Sequence, residues 1–351
     1  MINKRRSRDV AATSQTGPQT GTRAAAGASL QPFAGLSPEV VLDAAASAGF
    51  EADGRLFALN SYENRVYQVH SSAGLLVLKF YRAGRWSDEQ IEEEHAFAAE
   101  LAAQELPVAA PLAIDGHTLL TFRSFRFAVF PWMRGRAPEL DRPEALTVLG
   151  RALARLHRIG AVRAFRFRPH LTVARMGHAA RAAVLASDLL PESVAERYTQ
   201  ASSLLLREIE ALLADVGPVT EVRVHGDCHL GNLLWNEHGP MFVDLDDCMM
   251  APRIQDLWML LSGPPQDQQR QWEELLSGYQ QFADFDFREV RLVEPLRGLR
   301  MLHHAGWVAQ RWDDPAFPRA FPWFGETRNW ESYVTDLFEQ SVTIQNQPLL
   351  H

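Results

Sequence analysis

Two polar blocks constrain this chain more than any other feature, because each directly follows an apolar run. The first block, residues 225–232, reads His-Gly-Asp-Cys-His-Leu-Gly-Asn, and the second, residues 242–247, reads Phe-Val-Asp-Leu-Asp-Asp. The apolar runs predict strands, and a hairpin between the blocks would bring Asp227, Asn232 and Asp244 to one end. Two carboxylates and an amide oxygen supply hard metal ligands and a proton acceptor. Phosphoryl transfer from a magnesium nucleotide requires these groups.

The local fold around the blocks follows from the same residues. Strands are predicted at 222–224, 233–235 and 241–243, because these runs are short and rich in apolar, β-branched or aromatic side chains. The Gly239-Pro240 pair predicts the turn between the second and third strands. Each strand therefore ends next to the polar residues that follow it.

The order His-Gly-Asp-x-His-x-x-Asn, followed about ten residues later by an apolar residue and Asp, resembles the aminoglycoside phosphotransferase and choline kinase family. Residues 60–67, 77–81, 255–261 and 311–318 extend the likeness and closely resemble the bacterial stress response kinases within that family. The resemblance runs from about Phe33 to the end of the chain. It implies an α+β, bilobal, protein-kinase-like fold with an N-terminal antiparallel sheet and helix and a mostly helical C-terminal lobe.

Three segments are expected along the chain. Residues 1–32 are rich in Ala, Thr, Ser, Gly and Arg and predict a disordered tail with no apolar export segment. Residues 33–131 are expected to form the N-terminal kinase lobe, and residues 132–351 the C-terminal catalytic and acceptor-binding lobe. Amphipathic runs near 191–215, 265–282 and 289–311 predict helices in the second lobe.

The N-terminal lobe offers three candidate nucleotide-binding residues. Lys79 ends an apolar strand, where its ammonium can neutralise phosphate charge. Ser87 and Gln90 form a capping-box pattern, and Glu94 then falls on the apolar face of the helix, where it needs a partner such as Lys79. Glu93 stays open as an alternative. Ser61 lies in a loop without glycine, where its hydroxyl could contact a phosphate or could simply belong to a turn.

The resemblance also implies roles at the hinge and at the centre. Backbone groups near Val129, Phe130 and Trp132 would bind adenine between the lobes. Asp227 would be the catalytic base. The metal ligands would be Asn232, the catalytic carboxylate Asp244, and Asp246, which we expect on the same side of a strand as Asp244.

Four neighbouring residues are expected to have supporting roles. His225 and His229 would brace the catalytic loop, and Asp256 would hold it by accepting backbone N–H groups. His157 is expected to be a packed core or capping residue.

Composition narrows the class of protein. The net charge of −8 disfavours a surface that binds nucleic acid. No apolar run reaches the ~18 residues that a membrane span requires. We therefore expect neither a nucleic acid nor a membrane as a partner. The two cysteines, Cys228 and Cys248, provide no disulfide framework and favour a reducing, cytoplasmic location. Both lie beside the candidate site, and we expect packed thiols in preference to a redox switch.

The resulting prediction is a cytoplasmic, monomeric enzyme that uses ATP and Mg²⁺ to phosphorylate Ser or Thr in a protein substrate, in response to oxidative or envelope stress. A kinase of small-molecule hydroxyl groups is the alternative within the family. A catalytically silent nucleotide-binding scaffold is a second alternative. A zinc hydrolase site built on His225, Asp227, Cys228 and His229 is disfavoured, because no second His/Cys cluster supplies further ligands.

Overall fold

The computed structural model describes residues 32–142 and 144–346. The described residues from Pro32 onward form one compact unit. The predicted disordered tail, residues 1–32, lies outside the described residues except for Pro32.

The first lobe is a five-stranded antiparallel sheet with one helix before it and one inserted in it. The strand order is β1-β2-β3-β5-β4, and α2 connects β3 to β4. The elements are α1 (Pro38–Ser47), β1 (Ala52–Leu59), β2 (Arg65–Ser71), β3 (Gly74–Phe80), α2 (Asp88–Ala103), β4 (Leu120–Phe122) and β5 (Phe125–Pro131).

The second lobe is mostly helical and contains two small β-pairs, β6 with β9 and β7 with β8. Its helices and strands are α3 (Ala145–Gly160), α4 (Ala180–Leu185), α5 (Glu192–Val216), β6 (Glu221–Val224), β7 (Leu233–Asn236), β8 (Gly239–Phe242), β9 (Met249–Pro252), α6 (Ile254–Trp258), α7 (Pro265–Tyr279), α8 (Val293–Gln310), α9 (Ala316–Ala320) and α10 (Thr327–Gln345). The expected α+β class with two lobes is therefore confirmed. Among the described residues, no helix has both the length and the apolar character needed to cross a bilayer.

Side-chain alternation along β3 places Lys79. Leu76, Leu78 and Phe80 pack in the core between the sheet and α1. Successive side chains of a strand point to opposite faces, so Val77 and Lys79 face the other way, into the cavity between the lobes. One face of β3 therefore packs in the core, and the other face points into the cavity between the lobes.

The capping box of α2 sets the phase of the helix that faces Lys79. Ser87 accepts from the Gln90 backbone N–H, and the Gln90 side chain accepts from the Ser87 N–H, as predicted. The residues Ile91, Glu94, His95, Phe97, Ala98 and Leu101 are buried on this helix. Glu94 therefore lies on the packed face, and His95 is a further buried residue that the sequence analysis did not single out.

The predicted hairpin between the polar blocks is present with a small shift. Leu233 pairs with Phe242 and Asn236 with Gly239, so the turn lies at residues 237–238. The expectation that Gly239-Pro240 forms the turn was wrong, because both residues belong to β8. A π-helical segment, Ala174–Ala179, and helix α10 were not predicted.

Helices α3 and α7 approach so closely that glycine is required at their crossing. A Cβ built on Gly278 would lie 1.9 Å from the Thr147 carbonyl oxygen, and one on Gly150 would lie 2.0 Å from the Leu275 carbonyl oxygen. Both clashes are with backbone, so neither helix can relieve them by moving a side chain alone.

We expect Gly278→Ala to lower the free energy of unfolding by about 1–3 kcal/mol, because the new methyl group forces the two helices apart. Urea denaturation measures the change. Gly325→Ala is the matched control, since a Cβ there meets nothing within 4 Å. Equal unfolding midpoints for the two variants would contradict the close crossing.

Candidate active site

The Lys79 ammonium lies among three carboxylates. Its Nζ is 2.9 Å from Asp244 Oδ1, 3.1 Å from Asp246 Oδ1 and 3.5 Å from Glu94 Oε1. Burial alone would lower the pKa of Lys79, but the three carboxylates raise it well above its ordinary value. Lys79 is therefore a permanent cation at the centre of the cleft.

Glu94, and not Glu93, is the helix carboxylate that pairs with Lys79. Burial raises the pKa of Glu94 to about 7, while the Lys79 charge opposes that rise. Glu93 has a different task, because its two oxygens accept the backbone N–H groups of Arg166, Phe167 and Arg168 at 2.5–2.8 Å. Of these adjacent glutamates on α2, Glu94 therefore binds Lys79 in its own lobe, and Glu93 binds the backbone of the second lobe.

Asp256 binds the backbone of the loop that follows β6. Its carboxylate accepts the backbone N–H of His225 at 2.7 Å and that of Gly226 at 2.8 Å, as predicted. His157 is fully buried and bridges Asp256 at 3.1 Å and Tyr279 at 2.9 Å, so its expected structural role is confirmed. His225 fixes the other side of the loop through the Val243 carbonyl, 3.0 Å from Nε2.

Asp227 is surrounded by donors. Asn232 Nδ2 donates to the Asp227 carbonyl at 3.0 Å, His229 Nε2 lies 3.4 Å from Oδ2, and Arg300 Nη1 lies 2.5 Å from Oδ1. Burial would raise the pKa of Asp227, but the His229 hydrogen bond and the Arg300 charge hold it well below its ordinary value. Arg300, on α8, was not predicted; no local pattern links it to a residue 73 positions earlier.

Asp244 and Asn232 form a donor set that fits a magnesium ion. Asp244 has φ 59° and ψ 67°, a left-handed conformation at the end of the hairpin, and its side chain is half exposed towards the cavity. Asn232 uses its Nδ2 on Asp227, and its Oδ1 has no hydrogen bond with the described residues. Magnesium commonly takes one or two protein oxygens and completes its shell with water and phosphate.

The expectation that Asp246 lies on a strand, on the same side as Asp244, was wrong. Leu245–Asp247 is a 3₁₀ turn, so strand alternation does not place Asp246 beside Asp244. Asp246 is buried and binds Lys79, Arg85 and Asn64. Burial would raise the pKa of Asp246, but the charges of Arg85, Lys79 and Arg168 hold it well below the ordinary value. Its contacts are those of an ion-pair residue that connects the lobes.

A cavity of about 320 Å³ lies between the sheet and the second lobe. The predicted residues Ser61, Lys79, Glu94, Phe130, Trp132, Asn232 and Asp244 all line it. Val129 does not, because its side chain packs in the sheet core and its carbonyl accepts from Leu112 N–H at 2.7 Å. Met133, next along the hinge, lines the cavity, and its N–H makes no hydrogen bond within the described part of the chain.

The loop of residues 59–64 contributes to the lining of this cavity and is anchored by ion pairs that the sequence did not predict. Glu63 lies 2.5 Å from Trp307 Nε1, 2.5 Å from Arg311 Nε and 3.2 Å from Arg82 Nε. Asp314 binds Arg82 at 2.6 Å. Apart from Glu63 and Arg82, these partners lie more than 200 positions apart, so only the fold brings them together.

A second, more open cavity of about 460 Å³ lies on the other side of Asp227. His229 and Arg300, which both contact Asp227, form one wall. The remaining lining residues are Trp258, Met259, Leu261, Arg297, Met301, His304, Tyr333 and Asp336.

The two cysteines are buried and unpaired. Burial raises the pKa of Cys228 well above its ordinary value and that of Cys248 to about 12, so both remain neutral thiols. Within residues 32–142 and 144–346, no group of three or more His, Cys, Asp and Glu is arranged to hold a metal.

The fold is shared with solved small-molecule kinases. An amicoumacin kinase, solved with AMP-PNP, Ca²⁺ and its antibiotic, matches with a TM-score of 0.67 at 17% identity, covering 85% of this chain and 90% of that one. A microcompartment-associated aminopropanol kinase matches with a TM-score of 0.62 at 20% identity, covering 85% and 98%. At these identities the likeness supports the fold alone, and it confirms the kinase-like arrangement.

The sequence comparisons define the family. Stress response kinase A of Escherichia coli (strain K12) is 41% identical over 318 residues, 90% of this chain and 96% of that one. A protein of Salmonella typhimurium named serine/threonine protein kinase RdoA is 42% identical over 319 residues, with the same coverage. The model of the phosphotransferase enzyme family matches residues 56–293. This chain is a member of the phosphotransferase enzyme family and a relative of the bacterial stress response kinases.

Proposed function

We propose that this protein is a serine/threonine protein kinase that uses ATP and Mg²⁺ and acts in a bacterial stress response. One observation carries the phosphotransferase chemistry: Lys79 Nζ lies 2.9 Å from Asp244 Oδ1 in a cavity that Asn232 also lines. A fixed cation and two oxygen ligands facing one cavity are the groups that a magnesium nucleotide requires.

The cavity explains how a nucleotide would be oriented. The hinge residues Phe130, Trp132 and Met133 line its inner end, and the free N–H of Met133 suits a ring nitrogen of adenine. Lys79 would then neutralise phosphate oxygens, and Glu94 would hold the lysine in place. Asp244 and Asn232 would hold the magnesium ion, which when bound neutralises charge on the phosphates.

Asp227 would orient the acceptor hydroxyl and accept its proton. Its carboxylate lies between the nucleotide cavity and the second cavity, with Asn232 on one side and Arg300 on the other. Because its pKa is held low, the carboxylate stays ionised and ready to accept a hydrogen bond. Asp256 fixes the loop backbone, so the carboxylate position does not depend on the substrate.

A protein acceptor is proposed in preference to a cationic small molecule. In the second cavity Arg300 is paired with Asp227 and Arg297 with Glu294, and Asp336 is a further carboxylate of the lining, so the two guanidinium groups carry no uncompensated positive charge. The name of the Salmonella relative, serine/threonine protein kinase RdoA, supports the protein acceptor.

The stress role and the location are proposed on two further grounds. Relatives more than 40% identical are named stress response kinase A. The described cysteines are free and buried, which suits a reducing cytoplasm.

Asp227→Asn should reduce phosphate transfer by roughly 10²–10⁴-fold while leaving nucleotide affinity within a few fold, because the neutral amide neither orients the hydroxyl through a charge-assisted hydrogen bond nor accepts its proton. Transfer of label from ATP and binding of a fluorescent ATP analogue measure the two effects. Asp284→Asn, on an exposed residue outside both cavities, is the matched control. Full activity in Asp227→Asn would remove this carboxylate from the chemistry.

The acceptor class can be tested with a general protein substrate and with cationic hydroxyl compounds, each incubated with labelled ATP and magnesium. We expect label on Ser or Thr and none on an aminoglycoside, choline or aminopropanol. Transfer only to a small compound would identify a metabolite or antibiotic kinase. Nucleotide binding without transfer to any hydroxyl would identify a scaffold.

Glu94→Gln should reduce transfer by about tenfold or more, since the amide cannot hold Lys79 by charge, yet it should not destabilise the fold above pH 7. The folded pKa of Glu94, about 7, exceeds its ordinary value of 4.5, so between these values the native state binds more protons than the unfolded chain. Wild-type stability therefore falls in this interval as the pH rises. The variant lacks that component, which urea denaturation at pH 5 and pH 8 would reveal; parallel pH dependence in both proteins would contradict the assignment.

A further inference from the structure

A third cavity, of about 310 Å³, lies behind the active site and is rich in hydrogen-bond donors. It is lined by the loop before α2, the π-helical segment with the start of α4, and α8. Its charged and titratable residues are Arg85, Arg175, Asp247, His303 and Arg311. Arg85 is paired with Asp246 and Asp247, and Arg311 is paired with Glu63, which leaves Arg175 as the guanidinium group of this lining without an ion pair to the described residues.

Two donors in this cavity lack an acceptor. The Arg175 side chain makes no ion pair or hydrogen bond with residues 32–142 or 144–346. Trp86 is 9% exposed, and its buried indole N–H also has no partner within the described chain. Asp247, the carboxylate of the lining, lies 2.6 Å from Arg85 Nη2 and forms no ion pair or hydrogen bond with either donor within the described chain. The buried Trp86 N–H is an uncommon unsatisfied donor. Arg175 is partly buried and lines the cavity without a counter-charge from the described residues. Both donors suit a ligand with acceptor oxygens.

The aromatic ring of Trp86 gathers the positive charge. The guanidinium carbon of Arg168 lies 4.1 Å from the ring centroid, and those of Arg85 and Arg175 each lie 5.2 Å away. Burial lowers the pKa of Arg175, and the neighbouring Arg168 and Arg85 lower it further. Burial also lowers the pKa of His303 to about 4, with Arg175 contributing. The site therefore repels additional cations and stabilises an anion.

We propose that this cavity is a phosphate-binding site, in which Arg175 and the Trp86 indole N–H donate to the oxygens of a phosphate dianion. A phosphate group matches the planar fork of a guanidinium and offers enough acceptor oxygens for both donors. The same chemistry is supplied by free phosphate or by a phosphorylated side chain of this protein.

The site is coupled to the catalytic residues through Arg85. That side chain lines the cavity and also binds Asp246, which in turn contacts Lys79 at 3.1 Å. An anion in the cavity would therefore act on the ion pairs that position Lys79. The proposal does not rest on the proposed function, because phosphate binding can be measured in a chain without kinase activity.

The test is calorimetric titration of inorganic phosphate into the full chain, treated with phosphatase and saturated with Mg²⁺ and AMP-PNP so that the nucleotide cavity is filled. We expect one phosphate per chain. Arg175→Ala should weaken binding by about tenfold or more, and Trp86→Phe, which removes the N–H and keeps an aromatic ring, by several fold. Arg158→Ala, on an exposed residue outside the cavity, should bind as wild type does.

No saturable binding by the wild type would overturn the proposal, as would equal affinity in wild type, Arg175→Ala and Trp86→Phe. Titration with AMP-PNP alone reports separately on the nucleotide cavity, so its failure is distinguishable. Repeating the phosphate titration after incubation with ATP separates the two sources. Loss of binding with a new phosphate found by mass spectrometry assigns a phosphorylated side chain, and retained binding assigns free phosphate; either result supports the site.

Discussion

The buried ammonium group of Lys79 connects the two lobes of this protein. Lys79 is the next-to-last residue of β3, and it contacts Glu94 from its own lobe and Asp244 and Asp246 from the other. Removing an ammonium group from water is costly, and the three carboxylates offset that cost only while they surround it. The closed cleft is therefore the arrangement that this lysine favours, and every candidate ligand of the nucleotide is positioned relative to it.

The arginines around the cleft repeat the same principle on a larger scale. Arg82 and Arg85 connect the loop before α2 to Asp314, Asp246 and Asp247 in the second lobe. Glu63 reaches in the opposite direction, to Arg311. The loop at 59–64 contains no glycine, so its fixed position comes from these side-chain anchors and not from a flexible backbone that wraps a phosphate.

Local chemistry made part of this site predictable. The capping box and the apolar face of α2 favoured Glu94 over Glu93, and strand alternation directs Lys79 away from the core. Sequence could not reveal Arg300 or Arg175, because an ion pair across 73 positions, or a cavity between α8 and a π-helical segment, depends on how elements pack. Asp246 shows the limit most clearly: its partners were missed because a strand rule was applied to a 3₁₀ turn.

The low pKa of Asp227 affects how this carboxylate would act in the proposed phosphoryl transfer. A carboxylate whose pKa is held low by His229 and Arg300 is a weak base, so it gains little by taking a proton early. Phosphoryl transfer with a loose transition state needs little deprotonation of the attacking hydroxyl before the bond to the leaving group has weakened. Orientation of the hydroxyl then contributes more than basicity. Arg300 therefore fits the proposed reaction, because its charge favours the ionised form of Asp227 and its hydrogen bond fixes the carboxylate.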